Sequence, residues 1–319
     1  MTGYAADLAA VRAAQERIRG IAHRTPVMTS STMDALSGRQ LFFKCEIFQR
    51  VGAFKFRGAC NAVQKLDDET ARRGVVTHSS GNHAQALALA ARMRGIPAHV
   101  VMPTTAPRAK KDAVIGYGGR VIECAPTLAA REETAARVVA ETGVTLIPPY
   151  DHPDVIAGQG TIALEVLEDI PGLDAIVVPI GGGGMISGIA LAMREAAPRV
   201  RVIAAEPAGA DDAARSKRAG ALVPQTGPDT IADGLLTSLG SLTWPVVRDV
   251  VDRVVTVDED AIVRAMRLVY ERMKLVIEPS AAVGVAVALA KDALPADARK
   301  VAVVLCGGNV DLDRQPWQR

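Results

Sequence analysis

Hydrophobic and polar positions follow two different periods along this chain. Short runs of β-branched and aliphatic residues, typical of buried strands, are separated by segments with apolar residues at helical spacing. The pattern is most regular between residues 74 and 147, where it predicts strands at 75–77, 98–102, 120–124 and 145–147 and helices at 82–94, 108–117 and 128–141. Short strands separated by helices indicate βαβ units on a parallel sheet.

The same alternation resumes after Pro148, Pro149 and Tyr150. Strands are predicted at 175–180, 200–205 and 301–305, and helices at 155–168, 185–196, 259–273 and 280–293. Upstream, the pattern predicts a helix at 5–20, a strand at 40–46 and a helix at 56–66. We therefore expect an α/β fold with two open, mainly parallel sheets flanked by helices, in which the first fifty or so residues belong to the later sheet.

Composition excludes several classes of protein. The 319 residues are 49% hydrophobic and 23% charged, and 37 Lys and Arg balance 35 Asp and Glu without a basic run, so neither nucleic acid nor a membrane is the expected partner. The N-terminus lacks the pattern of a signal peptide, and no apolar run is long enough to span a bilayer. The four cysteines are widely spaced, which predicts reduced thiols in a cytoplasmic protein.

One lysine stands out from the charged residues. Lys55 lies between Phe54 and Phe56, two of only five phenylalanines in the chain. Apolar neighbours solvate an ammonium poorly, so its pKa falls and the amine becomes a nucleophile. That is the state in which a lysine forms a Schiff base with an aldehyde cofactor.

A run of four glycines follows the strand predicted at 175–180 and precedes a predicted helix. Consecutive backbone N–H groups at a helix N-terminus bind an anion, and phosphate is the natural occupant. The loop is not a Walker loop, because no Gly-Lys-Ser/Thr follows. The third glycine of a dinucleotide fingerprint is also missing, but Glu206 ends the next strand where an acid that binds ribose can lie. A nicotinamide cofactor therefore stays an alternative.

Two further groups follow predicted strands, where ligands bind in open α/β sheets. Ser79-Ser80-Gly81-Asn82-His83 begins a helix and presents N–H donors suited to a carboxylate. Cys306-Gly307-Gly308-Asn309 follows the last strand.

These groups occur in the order and spacing of one family. With Glu278-Pro279-Ser280, they resemble the pyridoxal-phosphate enzymes of fold type II (tryptophan synthase β-like), in particular the serine racemase and serine/threonine dehydratase group. The likeness extends over nearly the whole length. It implies a large cofactor-binding domain from residues 1–70 and 149–319 and a small mobile domain at 74–147.

The resemblance also assigns residues to the cofactor. Lys55 is expected to hold pyridoxal phosphate covalently, Phe54 to pack on its ring, Asn82 to bind the 3′-oxygen and Cys306 to face the ring nitrogen. The phosphate is expected on Gly181, Gly182, Gly183, Gly184 and Met185. A thiol is a weak neutral partner for the ring nitrogen, which favours β-elimination over deeper carbanion chemistry.

For the substrate, the resemblance implies a carboxylate site on Ser79, Ser80, Asn82 and His83, which Arg131 and Ser238 join when the small domain closes. The expected reaction is dehydration of L-serine or L-threonine to pyruvate or 2-oxobutanoate and ammonia. Lys55 would take the α-proton, and Ser80 could deliver one to the opposite face, which is racemisation. Ser80 points to a racemase, whereas Cys306 points towards a dehydratase.

Three further expectations come from the family. Glu206, the backbone carbonyl of Ala210 and Asp212 match its site for Mg²⁺ or Ca²⁺, whose preferred ligands are oxygens. A homodimer is expected, with ATP as an effector at its interface. The positions that match the nucleotide site are Ser30, Ser31, Gln85, Tyr117, Lys274 and Asn309, and Val51 departs from a polar residue there.

Three alternatives stay open. A 3-hydroxyaspartate dehydratase would use the same scaffold, with Arg131 or His152 accepting the second carboxylate. A nicotinamide-dependent oxidoreductase would use the glycine loop and Glu206. A binding protein could keep the scaffold without catalysis.

Overall fold

The computed structural model describes residues 3–318 and contains two β-sheets. The larger sheet has six strands in the order β1-β2-β10-β7-β8-β9, and the smaller has four in the order β5-β4-β3-β6. All neighbouring strands are parallel except β1 and β2. The strands are β1 (Val27–Thr29), β2 (Gln40–Lys44), β3 (Val75–His78), β4 (Ala98–Pro103), β5 (Arg120–Cys124), β6 (Thr145–Leu146), β7 (Ala175–Pro179), β8 (Arg201–Pro207), β9 (Arg253–Val257) and β10 (Lys300–Val304).

Helices flank both sheets. They are α1 (Leu8–Ile18), α2 (Ser31–Ser37), α3 (Lys55–Lys65), α4 (Asp68–Arg73), α5 (Asn82–Arg94), α6 (Arg108–Gly116), α7 (Leu128–Thr142), α8 (Pro153–Asp169), α9 (Gly184–Ala196), α10 (Asp212–Ala219), α11 (Trp244–Asp249), α12 (Glu259–Leu268) and α13 (Pro279–Leu289). The predicted fold class, with two mainly parallel sheets flanked by helices, is confirmed. The domain boundaries and the mobility of the smaller domain stay predictions.

The sequence pattern was wrong or incomplete at several elements. The predicted helix at 259–273 is regular only to Leu268 and continues as a π-helical turn, Val269–Met273, that ends at Lys274 with a φ of 59°. The edge strand β9 was not predicted, and Val257 is its one buried residue. The short helices α2, α4, α10 and α11 were also missed, because six to eight residues carry too little periodicity to identify a helix.

The hydrophobic core explains how the two sheets are joined. One large cluster of buried side chains surrounds β7, β8 and β10 of the larger sheet. A second cluster includes Phe56 and Val63 of α3 and Leu87 and Ala91 of α5. Since α5 follows β3 of the smaller sheet and α3 begins at Lys55, this second core holds the helix that carries Lys55 against the smaller sheet.

Candidate active site

The Lys55 loop lies against the end of β10. The backbone N–H of Phe54 donates to the carbonyl of Cys306 at 3.0 Å, and Ala53 forms an isolated bridge with Gly307. Because β10 lies between β2 and β7, the carboxyl end of β10 also adjoins the loop that follows β7. The Lys55 loop, the Cys306 group and the glycine loop therefore meet at the carboxyl ends of neighbouring strands in the larger sheet.

Lys55 has the environment that its sequence predicts. It is the first residue of α3 and is half-buried, and its Nζ donates to the carbonyl of Pro149 at 2.8 Å and lies 5.1 Å from the centroid of the Phe54 ring. Burial lowers the pKa of Lys55 to about 8, although the nearby carboxylate of Glu278 opposes the shift. A much larger share of the amine is therefore neutral at physiological pH than for an exposed lysine.

Cys306 is a neutral thiol at this site. Its side chain is buried, and burial followed by the charge of Glu278 raises the pKa of the thiol well above its usual value. A protonated thiol has no net charge to offer a ring nitrogen.

The glycine loop has no room for side chains. A Cβ on Gly181 would come within 2.9 Å of the Cα of Leu235, and a Cβ on Gly182 or Gly184 would collide with Tyr150. Gly183 has a φ of +85°, in the left-handed region that favours glycine. The loop ends at the N-terminus of α9, which begins at Gly184, and Met185 is buried.

Asn82 is held by a residue to which the sequence assigned no role. Its Nδ2 donates to both carboxylate oxygens of Glu278 at 3.1 Å, and its Oδ1 accepts from Asn309 Nδ2 at 2.9 Å. Glu278 is buried, and burial raises its pKa to about 7 although the bond from Asn82 opposes the shift. A Cβ on Gly307 would lie 2.6 Å from Glu278 Oε1, so the glycine leaves space for this carboxylate.

The other predicted substrate residues of the smaller sheet lie around the start of α5. Ser79 and Ser80 follow β3 and are half-buried, and Ser79 Oγ accepts from the N–H of Gly81 at 3.4 Å. His83 is buried, and its Nε2 lies 3.0 Å from the carbonyl of Ile147. Burial, with the charge of Lys55, lowers the pKa of His83 to about 3, so this ring is neutral.

Arg131 and Ser238 are engaged elsewhere. Arg131, on α7, donates from Nε to the carbonyl of Thr127 at 3.4 Å. Burial, with a smaller contribution from the charge of Arg131, lowers the pKa of His78 at the end of β3. Ser238 Oγ accepts from the N–H of Gln225 at 2.9 Å. Their predicted contact with substrate requires closure of the site and stays a prediction.

The predicted cation ligands are close together at the end of β8. Glu206 is fully buried, and its two oxygens accept from the N–H groups of Ala213 and Ala214 at 2.8 and 2.9 Å. Asp212 is buried as well: its Oδ2 accepts from the N–H of Leu239 at 2.9 Å, while its Oδ1 has no hydrogen-bond partner. Burial raises the pKa of Glu206 to about 8 and of Asp212 to about 6.

Other residues at the site carried no clear sequence signal. Tyr150 packs against the glycine loop, and Pro149 accepts the bond from Lys55. Both lie in the Pro-Pro-Tyr run, which indicated only an interruption between two blocks of alternation. Glu278 was visible only as part of a motif, Glu278-Pro279-Ser280, that precedes α13.

The amine of low pKa, the neutral thiol and the glycine loop at a helix N-terminus fit one cofactor, and comparison with known proteins agrees. A family model described as "Pyridoxal-phosphate dependent enzyme" matches residues 18–307. The chain belongs to this family and is an enzyme of this type.

Individual relatives show which enzymes of this family the chain is similar to. The chain is 56% identical to "Serine racemase" of Arabidopsis thaliana, over 97% of this chain and 95% of the relative. It is 54% identical to "beta-hydroxyaspartate dehydratase" of Paracoccus denitrificans (strain Pd 1222), over 96% of each chain. The solved structure of maize serine racemase aligns with a TM-score of 0.96 and 52% identity, covering 99% of this chain and 97% of that one.

The comparisons confirm the resemblance drawn from the sequence. The nicotinamide alternative receives no support, because the side chain of Glu206 is buried against α10 and does not present an acid to a ribose. Among residues 3–318, no helix is both long and apolar enough to cross a membrane.

Proposed function

We propose that the chain is a hydroxy-amino-acid ammonia-lyase that converts L-serine or L-threonine to pyruvate or 2-oxobutanoate and ammonia, and that it also racemises serine. The observation that carries this proposal is the amine of Lys55, whose pKa is lowered to about 8 and which donates to the carbonyl of Pro149, next to the Tyr150 that packs on the glycine loop. The backbone next to Lys55 is also bonded to Cys306, whose thiol is neutral. The likeness to serine racemases over nearly the full length supports it.

Each of the main site residues has a defined role in this proposal. Pyridoxal phosphate, when bound, supplies an aldehyde that joins the substrate amino group and withdraws electrons from the α-carbon. The neutral Lys55 Nζ would take the α-proton, and the thiol of Cys306 would be a partner for the ring nitrogen that adds no charge. The N–H groups at the start of α5, with Ser79, Ser80, Asn82 and His83, orient the substrate carboxylate. Ser80 Oγ delivers a proton to the opposite face of the α-carbon when the product is the other enantiomer.

A 3-hydroxyaspartate dehydratase is the second candidate, because the chain is 54% identical to a relative named "beta-hydroxyaspartate dehydratase". That substrate has a second carboxylate. His152, at the N-cap of α8, and Arg131 are the residues that we propose would accept it. Comparison of kcat/KM for L-serine, L-threonine and 3-hydroxyaspartate decides between the two candidates.

The cofactor is tested first by absorbance. The purified chain supplied with pyridoxal phosphate is expected to turn yellow, and borohydride should remove the colour and fix the cofactor to Lys55. Lys55→Ala should show no such band and lose at least about 1,000-fold in kcat, because the covalent attachment and the base are lost together. A colourless protein without activity towards hydroxy amino acids contradicts the proposal, and a coloured protein without turnover favours a binding protein.

We also propose a Mg²⁺ or Ca²⁺ ion on Glu206, Asp212 and the carbonyl of Ala210. The buried Asp212 Oδ1 without a partner supports this, as does the proximity of two desolvated carboxylates that a cation would neutralise. Within residues 3–318 no cluster of three or more His, Cys, Asp or Glu marks a metal site, so the carbonyl and water must complete the shell. Chelation should lower activity and leave the yellow colour, and Glu206→Gln should be insensitive to the chelator.

The remaining proposals rest on the family resemblance. A homodimer is supported by two exposed apolar side chains, Phe48 and Val276, which are 48% and 44% exposed. Sedimentation velocity tests the oligomeric state.

ATP is proposed as an effector at the interface of the homodimer, and adding nucleotide to the activity assay tests this. A cytoplasmic location agrees with four cysteines that are all free.

A further inference from the structure

The segment from Pro149 to Asp151 contacts several parts of the site. Pro149 accepts the bond from Lys55 Nζ, and the ring of Tyr150 lies against Gly182 and Gly184. Asp151 contacts a turn of residues 240–243, far away along the chain. The sequence had assigned no role to Asp151 or to this turn.

The carboxylate of Asp151 holds the turn through four hydrogen bonds. Its Oδ2 accepts from the N–H and the hydroxyl of Ser241, both at 3.0 Å, and its Oδ1 accepts from the N–H groups of Leu242 at 2.8 Å and Thr243 at 3.3 Å. A Cβ on Gly240 would collide with the Asp151 carboxylate, so glycine is needed there. The turn is therefore fixed by one side chain.

Thr243 connects this turn to the glycine loop by a hydrogen bond. Its side chain is buried, and its Oγ1 accepts from the N–H of Gly240 at 2.9 Å and donates to the carbonyl of Gly182 at 2.8 Å. A Cβ on Gly183 would lie 2.8 Å from the Cβ of Thr243, so the loop rests directly on this residue.

The hydrogen bond to Gly182 has a geometric consequence. In a planar trans peptide, the carbonyl of one residue and the N–H of the next point in opposite directions. Because the carbonyl of Gly182 is directed at Thr243, the N–H of Gly183 is directed away from Thr243. An N–H held in this way is a preorganised donor for an anion.

We propose that Thr243 and Asp151 are positioning residues for the phosphate of the cofactor: Asp151 fixes the turn, and Thr243 orients the Gly182–Gly183 peptide. This inference rests on the cofactor site proposed above. It adds that Thr243 and Asp151 are needed to bind a ligand that has a phosphate and are not needed to bind one that has none. Pyridoxal is such a ligand, because it can react with Lys55 but has no phosphate to place on the loop.

The test compares pyridoxal phosphate and pyridoxal as ligands of the full chain freed of cofactor, with affinities measured by absorbance titration. Thr243→Val removes the hydroxyl at nearly constant volume, and Thr243→Ser, the matched control, keeps it. We expect Thr243→Val to weaken pyridoxal phosphate binding about tenfold and to leave pyridoxal affinity within about twofold of wild type. Thr243→Ser should resemble wild type with both ligands. A second variant, Asp151→Asn, should show the same selective loss and serves as the test if Thr243→Val does not fold.

Two results overturn the inference: equal weakening of both ligands, which indicates a general structural defect, or unchanged affinity for pyridoxal phosphate in both Thr243→Val and Asp151→Asn. A failure of the proposed function looks different, because the wild-type chain would then bind neither aldehyde at Lys55.

Discussion

The reactivity of Lys55 depends on how poorly its surroundings solvate a charge. In place of water, the ammonium has the ring of Phe54 and a single hydrogen-bond acceptor, the carbonyl of Pro149. The opposing effect of Glu278 on the pKa is smaller than that of burial. Since the pKa falls from 10.5 to about 8, the neutral fraction of the amine near pH 7 is about 300-fold larger than for an unperturbed lysine.

A pH dependence follows from this shift. Only the neutral amine attacks an aldehyde, so the rate of pyridoxal phosphate capture by the cofactor-free chain should rise with pH and level off above about pH 8, not above about 10.5. Stopped-flow absorbance from about pH 6 to about pH 10 measures this, with a lysine peptide as the reference. A chain that follows the peptide would show that Lys55 is solvated.

The hydroxyl of Ser80 permits a test of the second proton. Lys55 can take the α-proton without Ser80, but return of a proton from the opposite face needs another donor. Ser80→Ala should therefore reduce racemisation of serine by at least about 100-fold and leave elimination within a few-fold of wild type. Chiral chromatography of serine, run beside a pyruvate assay, measures both. Parallel loss of the two activities would refute this role for Ser80.

Sequence reasoning identified site residues that lie in short motifs and missed those joined through space. The chemistry of Lys55 and the glycine loop is set by neighbours in the chain, so their local sequence was informative. Tyr150 and Thr243 reach the loop only because the chain folds back on it, and their local sequence indicated no contact with the loop.

At the scale of elements, a buried cluster of charges joins α3 to its neighbours. Arg57, two residues after Lys55, donates to Glu46 at 2.7 and 2.9 Å and to Glu165 of α8 at 2.7 and 2.8 Å. Lys44 at the end of β2 also pairs with Glu165 at 2.6 Å, and all four side chains are buried. With two bases and two acids, the cluster is neutral only while it is complete.

Removal of Arg57 should therefore be costly. Arg57→Met leaves the buried Glu46 without its cationic partner and leaves Glu165 with Lys44 alone. We therefore expect the free energy of unfolding to fall by roughly 3–5 kcal/mol. Urea denaturation followed by circular dichroism measures it. Arg73→Met, which breaks the exposed pair with Glu69, is the control and should change stability by about 0.5 kcal/mol or less. Similar effects of the two substitutions would contradict a special role for the buried cluster.

The regular elements were predictable because their periodicity matches their burial. Helix α5 begins and ends as predicted, at Asn82 and Arg94, since a polar group precedes its apolar positions and Gly95 follows in the left-handed conformation. The π-helical turn after α12 could not be predicted, because residues 269–273 continue the helical pattern and only the backbone departs from it.

For the molecule as a whole, the two sheets are linked by polar contacts beside the site. One is the pair between Lys110 Nζ of α6 and Asp233 Oδ2, 3.0 Å apart, with side chains 40% and 57% exposed. Asp233 begins the short segment whose Leu235 lies behind Gly181. The pair therefore connects the smaller sheet's helices to the back of the glycine loop, where it can favour a closed site.

We expect Lys110→Met to raise the KM for substrate with little change in kcat. Since a half-exposed pair contributes about 0.2–1 kcal/mol, KM should rise roughly 1.5- to 5-fold, and high salt should reproduce the effect in the wild-type chain. Lys111→Met is the matched control, because Lys111 pairs with Glu123 of β5 within the same unit. Exchanging the charges, Lys110→Asp with Asp233→Lys, should restore the original KM. If Lys111→Met raises KM as much as Lys110→Met does, the contact between the two sheets has no part in closure.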